Sequence, residues 1–130
     1  MKILYNLDLE KSILASLMSI EDCYLKINEI ITIDDFAAAK HQEIFKAIEA
    51  LYSAGEPVDL IMVVDYMTRT KTLHGIGGDS YIAEILATSP ASLFNVIAYA
   101  ERVKELSEQR RAISVLEDAR LLINDDGILL

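Results

Sequence analysis

His41 lies on the apolar side of a helical repeat, four residues before Phe45. A histidine there is either a general base or a buried structural group. A base needs a partner, and no Ser, Cys or carboxylate is placed beside it by spacing. The structural role is therefore expected, and the second histidine, His74, falls in a turn open to solvent. Cys23 stands next to Tyr24 with no neighbouring base to draw off its proton, so it reads as a small buried hydrophobe rather than a nucleophile. One cysteine and two histidines also fall short of the three or four close ligands that zinc requires, and no disulfide can form within the chain.

The run Gly75-Ile76-Gly77-Gly78 could suggest a phosphate cradle. A phosphate loop, however, needs wider glycine spacing ending in Lys-Ser/Thr after a strand, and this run opens onto Asp79-Ser80. An acid at a helix start competes with phosphate, so a turn is expected. The doublets Glu21-Asp22 and Asp34-Asp35 resemble acid–base pairs, but both fall where helices begin and negative charge is favourable. Arg102, Lys104, Arg110, Arg111 and Arg120 are matched in number by Glu101, Glu105, Glu108, Glu117 and Asp118, which predicts a solvated, salt-bridged helix rather than a nucleic-acid stripe. No catalytic residue, cofactor site or metal site emerges.

The elements that carry these residues are helical. Leu9, Ile13, Leu14, Leu17 and Met18 define an amphipathic helix after Asp8 as N-cap. A second helix is expected over Glu21–Glu29. The third is the clearest: His41, Ile44, Phe45, Ile48, Leu51 and Tyr52 follow helical spacing, Gly55 supplies a left-handed cap, and Pro57 forbids continuation. Asp59 can cap a fourth. Its segment Leu60-Ile61-Met62-Val63-Val64 could also pair as a strand, but no partner strand is evident. A fifth, short helix holds Tyr81, Ile82, Ile85 and Leu86. Ser89-Pro90 then has the form of a cap and first-turn proline. No Gly or Pro follows until beyond Ile123, so one long helix of about 48 Å is predicted.

The predicted architecture is all-α: a head of five short helices over residues 1–88, and a projecting arm with its tail over 89–130. His41, Ile44, Phe45, Ile48, Leu51 and Tyr81 are the expected core. The arm outruns the head, so Leu93, Val96, Val103, Ile113 and Leu116 are the expected partner-binding face. The 130 residues, 52% hydrophobic and 25% charged, suit one domain with a real core. A net charge of −9 sets the chain against DNA phosphates. No signal peptide or bilayer-length apolar run is present, which predicts a cytoplasmic protein with no membrane contact.

An ordered series of short motifs runs through the chain. Leu9-Glu10-x-x-Ile13-Leu14-x-x-Leu17 is followed by Asp35-Phe36, His41-x-x-Ile44-Phe45-x-Ala47-Ile48-x-x-Leu51 and Gly55-x-Pro57-Val58-Asp59. Then come Gly77-Gly78-x-x-Tyr81-Ile82, Ser89-Pro90, Asn95, Tyr99-Ala100-x-x-Val103-x-Glu105 and Arg110. Over residues 9–113 this series resembles the N-terminal domain of DnaB-type replicative DNA helicases. The resemblance implies a non-catalytic collar domain that makes subunit contacts through helical hairpins and recruits primase and the helicase loader. ATPase motifs belong to a separate domain of that family, and none occurs in this chain. It also implies that the long helix is half of a hairpin, since only a turn and a few apolar residues follow it. Arg102 stands where the family has an aliphatic residue, which would put a charge on the packing face. The competing expectation is a free-standing phage- or plasmid-like mimic that binds and regulates a host helicase or primase.

Overall fold

The computed structural model describes residues 3–88 and 92–126, the side chains of 124–126 excepted. Among these residues there are six α-helices and no strand: α1 (Leu7–Ser19), α2 (Cys23–Asn28), α3 (Ala39–Ser53), α4 (Leu60–Arg69), α5 (Gly78–Ala87) and α6 (Leu93–Asp126). Single 3₁₀ turns at Ile33–Asp35 and His74–Ile76 join α2 to α3 and α4 to α5.

Local chemistry sets the helix ends. α1 begins earlier than an Asp8 cap would allow, because Asn6 is extended and its side-chain oxygen accepts the Leu9 amide at 3.1 Å. This moves Asp8 and Glu10 into the first turn. α2 begins at Cys23 rather than Glu21, because Asp22 takes a left-handed conformation (φ 63°) that cannot continue a helix. α3 ends as expected. Gly55 has φ 72°, and the Glu56 amide returns to the Leu51 carbonyl at 2.9 Å. Asp59 then accepts the Met62 amide at 2.9 Å and starts α4, which is a helix and not a strand. Ser89-Pro90 lies outside the described residues. The α6 start is capped by Ser92, whose hydroxyl accepts the Asn95 amide at 3.2 Å.

One core joins all six helices. Ile13, Leu14 and Leu17 of α1 pack with Ile44, Phe45 and Ile48 of α3, Val63 and Met67 of α4, and Ile82 and Ile85 of α5. Phe36 and Phe45 meet with ring centroids 5.1 Å apart. α6 belongs to this core for its first half. Val96, Ala100, Val103 and Leu106 are all buried, on a helix that packs against α1, α2 and the first 3₁₀ turn. The head therefore does not close at residue 88; without α6 the apolar face of α1 would lie open. From Arg111 to Ile123 every residue except Ala119 is exposed.

Candidate functional site

His41 is wholly buried, and the fold supplies the partners that sequence spacing does not reveal. Its Nδ1 lies 2.8 Å from Glu10 Oε1, and its Nε2 lies 2.6 Å from the Tyr81 hydroxyl. Glu10 is 1% exposed and also accepts the Ala37 amide at 2.8 Å and the Ala38 amide at 3.4 Å. With Glu10 acting only as acceptor, His41 donates from Nδ1; a neutral imidazole then accepts the Tyr81 O–H at Nε2. Gly77 (φ 105°) helps seat Tyr81: a Cβ there would stand 3.2 Å from Tyr81 Cβ.

This carboxylate–imidazole–hydroxyl chain has the outline of a catalytic relay, but its chemistry is structural. Burial pushes the Tyr81 phenol up to about 12, with Glu84 and Glu10 adding to the effect, so the hydroxyl stays protonated. The Lys40 ammonium sits 4.0 Å from the ring centroid, and Tyr81 is only 8% exposed. The phenol hydroxyl is engaged by the wholly buried His41 imidazole. What the network does is tie α1, α3 and α5 together through polar groups whose bonds must all be made.

A second network fixes α6. Asp35 is fully buried and accepts the Ser107 hydroxyl at 2.7 Å and Arg111 at 2.6 Å through Oδ1. Its Oδ2 takes the Thr32 amide at 2.8 Å and approaches Lys104 at 3.5 Å. Burial alone would push this carboxyl up; the Thr32 amide, Ser107, Arg111 and Lys104 together outweigh it and hold it below its ordinary value. Arg110 bridges the carbonyls of Leu4 (2.7 Å) and Asp35 (2.9 Å), bringing the start of the chain onto the same helix. Asp35 thus does more than cap a turn. Lys104, Arg110 and Arg111 are not paired within α6, because each is drawn off the helix by an acceptor on the head. Arg102 and Arg120 do pair locally, with Glu105 and Glu117. Arg102 is half-exposed, so its charge is not on the packing face.

The remaining candidates resolve simply. Burial pushes the fully enclosed Cys23 thiol up to about 11, which leaves almost no thiolate near neutrality. The glycine run makes a turn that uses its own amides: Gly77 and Gly78 donate to the carbonyls of His74 and Leu73, leaving neither for a phosphate. Among the described residues no cluster of His, Cys, Asp or Glu could hold a metal ion, and no helix is long and apolar enough to cross a membrane.

His41, Ile44, Phe45, Ile48, Leu51 and Tyr81 are all buried. The expected partner face divides. Val96 and Val103 are buried in the core and are not available to a partner, because α1 already covers that side of α6. Leu93, Ile113 and Leu116 are 42%, 47% and 68% exposed. Leu121, Leu122 and Ile123 extend the uncovered apolar surface outward.

A long helix clamped to an all-α head by buried polar networks, with exposed apolar side chains along its outer half, defines an all-α helical domain of one recognisable type. The chain belongs to the family of the DnaB-like helicase N terminal domain, whose model matches residues 2–105. It is 31% identical over 114 residues to the replicative DNA helicase DnaB of Pasteurella multocida, covering 88% of this chain and 24% of that helicase. It is 33% identical over 108 residues to the replicative DNA helicase DnaC of Bacillus subtilis, covering 83% and 24%. The chain spans about a quarter of the length of these curated relatives. Among solved structures, the N-terminal domain of Mycobacterium tuberculosis DnaB helicase superposes with a TM-score of 0.88 at 28% identity, covering 98% of this chain and 87% of that one. The N-terminal domain of Helicobacter pylori DnaB helicase, described with its interactions with primase, shares the fold with a TM-score of 0.79 at 20% identity, covering 90% of each chain.

Proposed function

We propose that this chain acts as the collar domain of a replicative DNA helicase in the cytoplasm, making subunit contacts and recruiting primase and the helicase loader. The outer half of α6 is the observation that carries this reading. Ile113 lies two turns beyond the buried Leu106 on the same side of the helix, and Leu116 and Ile123 follow at three and ten positions. That stripe continues the packing side of α6 past the end of the head, where no element of the described chain covers it. A helix from another subunit would cover it with the least exposure of backbone or charge.

Electrostatics point away from DNA as the direct partner. The net charge is −9, and the cations Lys104, Arg110 and Arg111 are already engaged by Asp35 and Leu4. The primase interaction of the Helicobacter pylori domain supports primase as the protein partner. Sedimentation of the chain alone and with purified primase tests the proposal. Self-association weakened by Leu116→Asp, together with co-sedimentation of primase, is the expected result. A monomer that ignores primase would overturn it.

A further inference from the structure

The segment before α1 is held on α6 by a hydrogen bond from Arg110. Its guanidinium donates to the Leu4 carbonyl at 2.7 Å and to the Asp35 carbonyl at 2.9 Å, so one planar fork joins two stretches of the head to the long helix. The contact falls at a boundary. Leu106 and Ser107 are buried, and from Arg111 outward α6 runs clear of the head. Leu4 is half-buried there, while its neighbours Ile3 and Tyr5 turn outward, 69% and 50% exposed. Ile113 follows Arg110 by three positions, one turn along the same side of α6. Singly, an exposed Ile or Tyr is ordinary; at the base of the Ile113, Leu116 and Ile123 stripe, the two widen one apolar surface.

The charge on this surface sets it apart from the rest of the chain. Over residues 111–123, Arg111 and Arg120 balance Glu117 and Asp118, and residues 3–6 carry no charged side chain. The chain as a whole stands at −9. Two copies therefore approach with least repulsion at this place, where an apolar patch can match its own twofold image. A basic partner would instead be drawn to the acidic remainder.

We infer that Arg110 is a positioning residue: it fixes the segment before α1 on α6, so that Ile3 and Tyr5 join the outer stripe in meeting a second copy of this chain. The inference rests on the self-contact of the proposed function and adds to it a second element, outside α6, that the partner copy must cover.

Sedimentation equilibrium over a range of concentrations tests it, with backbone NMR relaxation reporting the order of residues 3–6. The double variant Ile3→Ser/Tyr5→Ser changes exposed side chains without changing charge, and should weaken self-association about tenfold. Ile61→Ser, which removes a 75% exposed isoleucine from α4, should leave it unchanged. Arg110→Gln should release residues 3–6 and weaken self-association by a similar factor. Adding Ile3→Ser/Tyr5→Ser to Arg110→Gln should then cost little more, because the segment is already free. Fully additive losses, or a segment that stays ordered in Arg110→Gln, would overturn the positioning role. If Arg110→Gln does not fold, the Ile3→Ser/Tyr5→Ser variant still decides the surface. Self-association that Leu116→Asp weakens but Ile3→Ser/Tyr5→Ser does not would overturn the inference and spare the self-contact. A parent chain that stays monomeric would overturn both.

Discussion

Tyr81→Phe removes one oxygen from the interior and nothing else. The ring stays in place, stacked 5.9 Å from the His41 imidazole and beneath the Lys40 ammonium. What is lost is the 2.6 Å hydrogen bond to His41 Nε2, in a site where His41 is 0% exposed and no water can replace the hydroxyl without displacing packed atoms. A buried acceptor left without its donor costs about 1–3 kcal/mol. The slightly greater hydrophobicity of Phe offsets a small part of this, so about 2 kcal/mol of destabilisation is expected. At ~2.1 cal/mol/K of unfolding entropy per residue, that corresponds to a fall in Tm of about 7 °C for a chain of 130 residues. Urea unfolding followed by far-ultraviolet circular dichroism gives the free energy, with an unchanged m-value if the native state is intact. A cycle with Glu10→Gln should show coupling above about 0.5 kcal/mol, because both side chains act on the same imidazole. A Tyr81→Phe variant within about 0.5 kcal/mol of the parent would refute the reasoning that the relay is a stabilising network.

Asp35→Asn should destabilise the fold by about 2 kcal/mol, since charge-assisted bonds to Ser107 and Arg111 lose their anion. The lowered pKa of Asp35 sets the sign with pH. Its contribution is complete above the unfolded value of 3.8 and is lost as pH falls below that through the folded value, so the variant should show a shallower acid limb in urea titrations. Cys23 should react with a thiol reagent at pH 8 only as fast as the protein opens, and at an ordinary rate in denaturant. Asn6→Ala should cost about 1 kcal/mol, read from the shift in urea midpoint, through loss of the Leu9 cap.

Local rules made much of this fold readable. The spacing from His41 to Leu51, the left-handed Gly55, Pro57 and the Asp59 cap all act within one or two turns, so their sequence pattern and their structure coincide. The α1 start was less decidable: Asn6 and Asp8 are both competent caps, and only the observed Leu9 bond separates them. Partners distant in sequence leave no local trace. Glu10 is 31 positions from His41, and Tyr81 is 40 beyond it, so the imidazole's two bonds follow from the packing of α1 and α5 on α3. Arg111 has Glu108 at helical spacing, yet Asp35 holds it, and Arg110 beside it, through geometry that only the folded first 3₁₀ turn creates. The outer stripe of α6 was legible in part. Ile113 and Leu116 lie on uncovered surface, whereas Val96 and Val103 share their periodicity but are buried in the core.

The anchoring of α6 also makes it a lever. Its fulcrum is the Asp35 cluster, and beyond Arg111 the helix runs on to Asp126, a length of about 22 Å at ~1.5 Å per residue. Over that radius a tilt of ~10° at the head carries the tip about 4 Å, roughly three-quarters of one helical turn. A displacement at the head too small to break the core would thus be magnified where α6 meets whatever covers it.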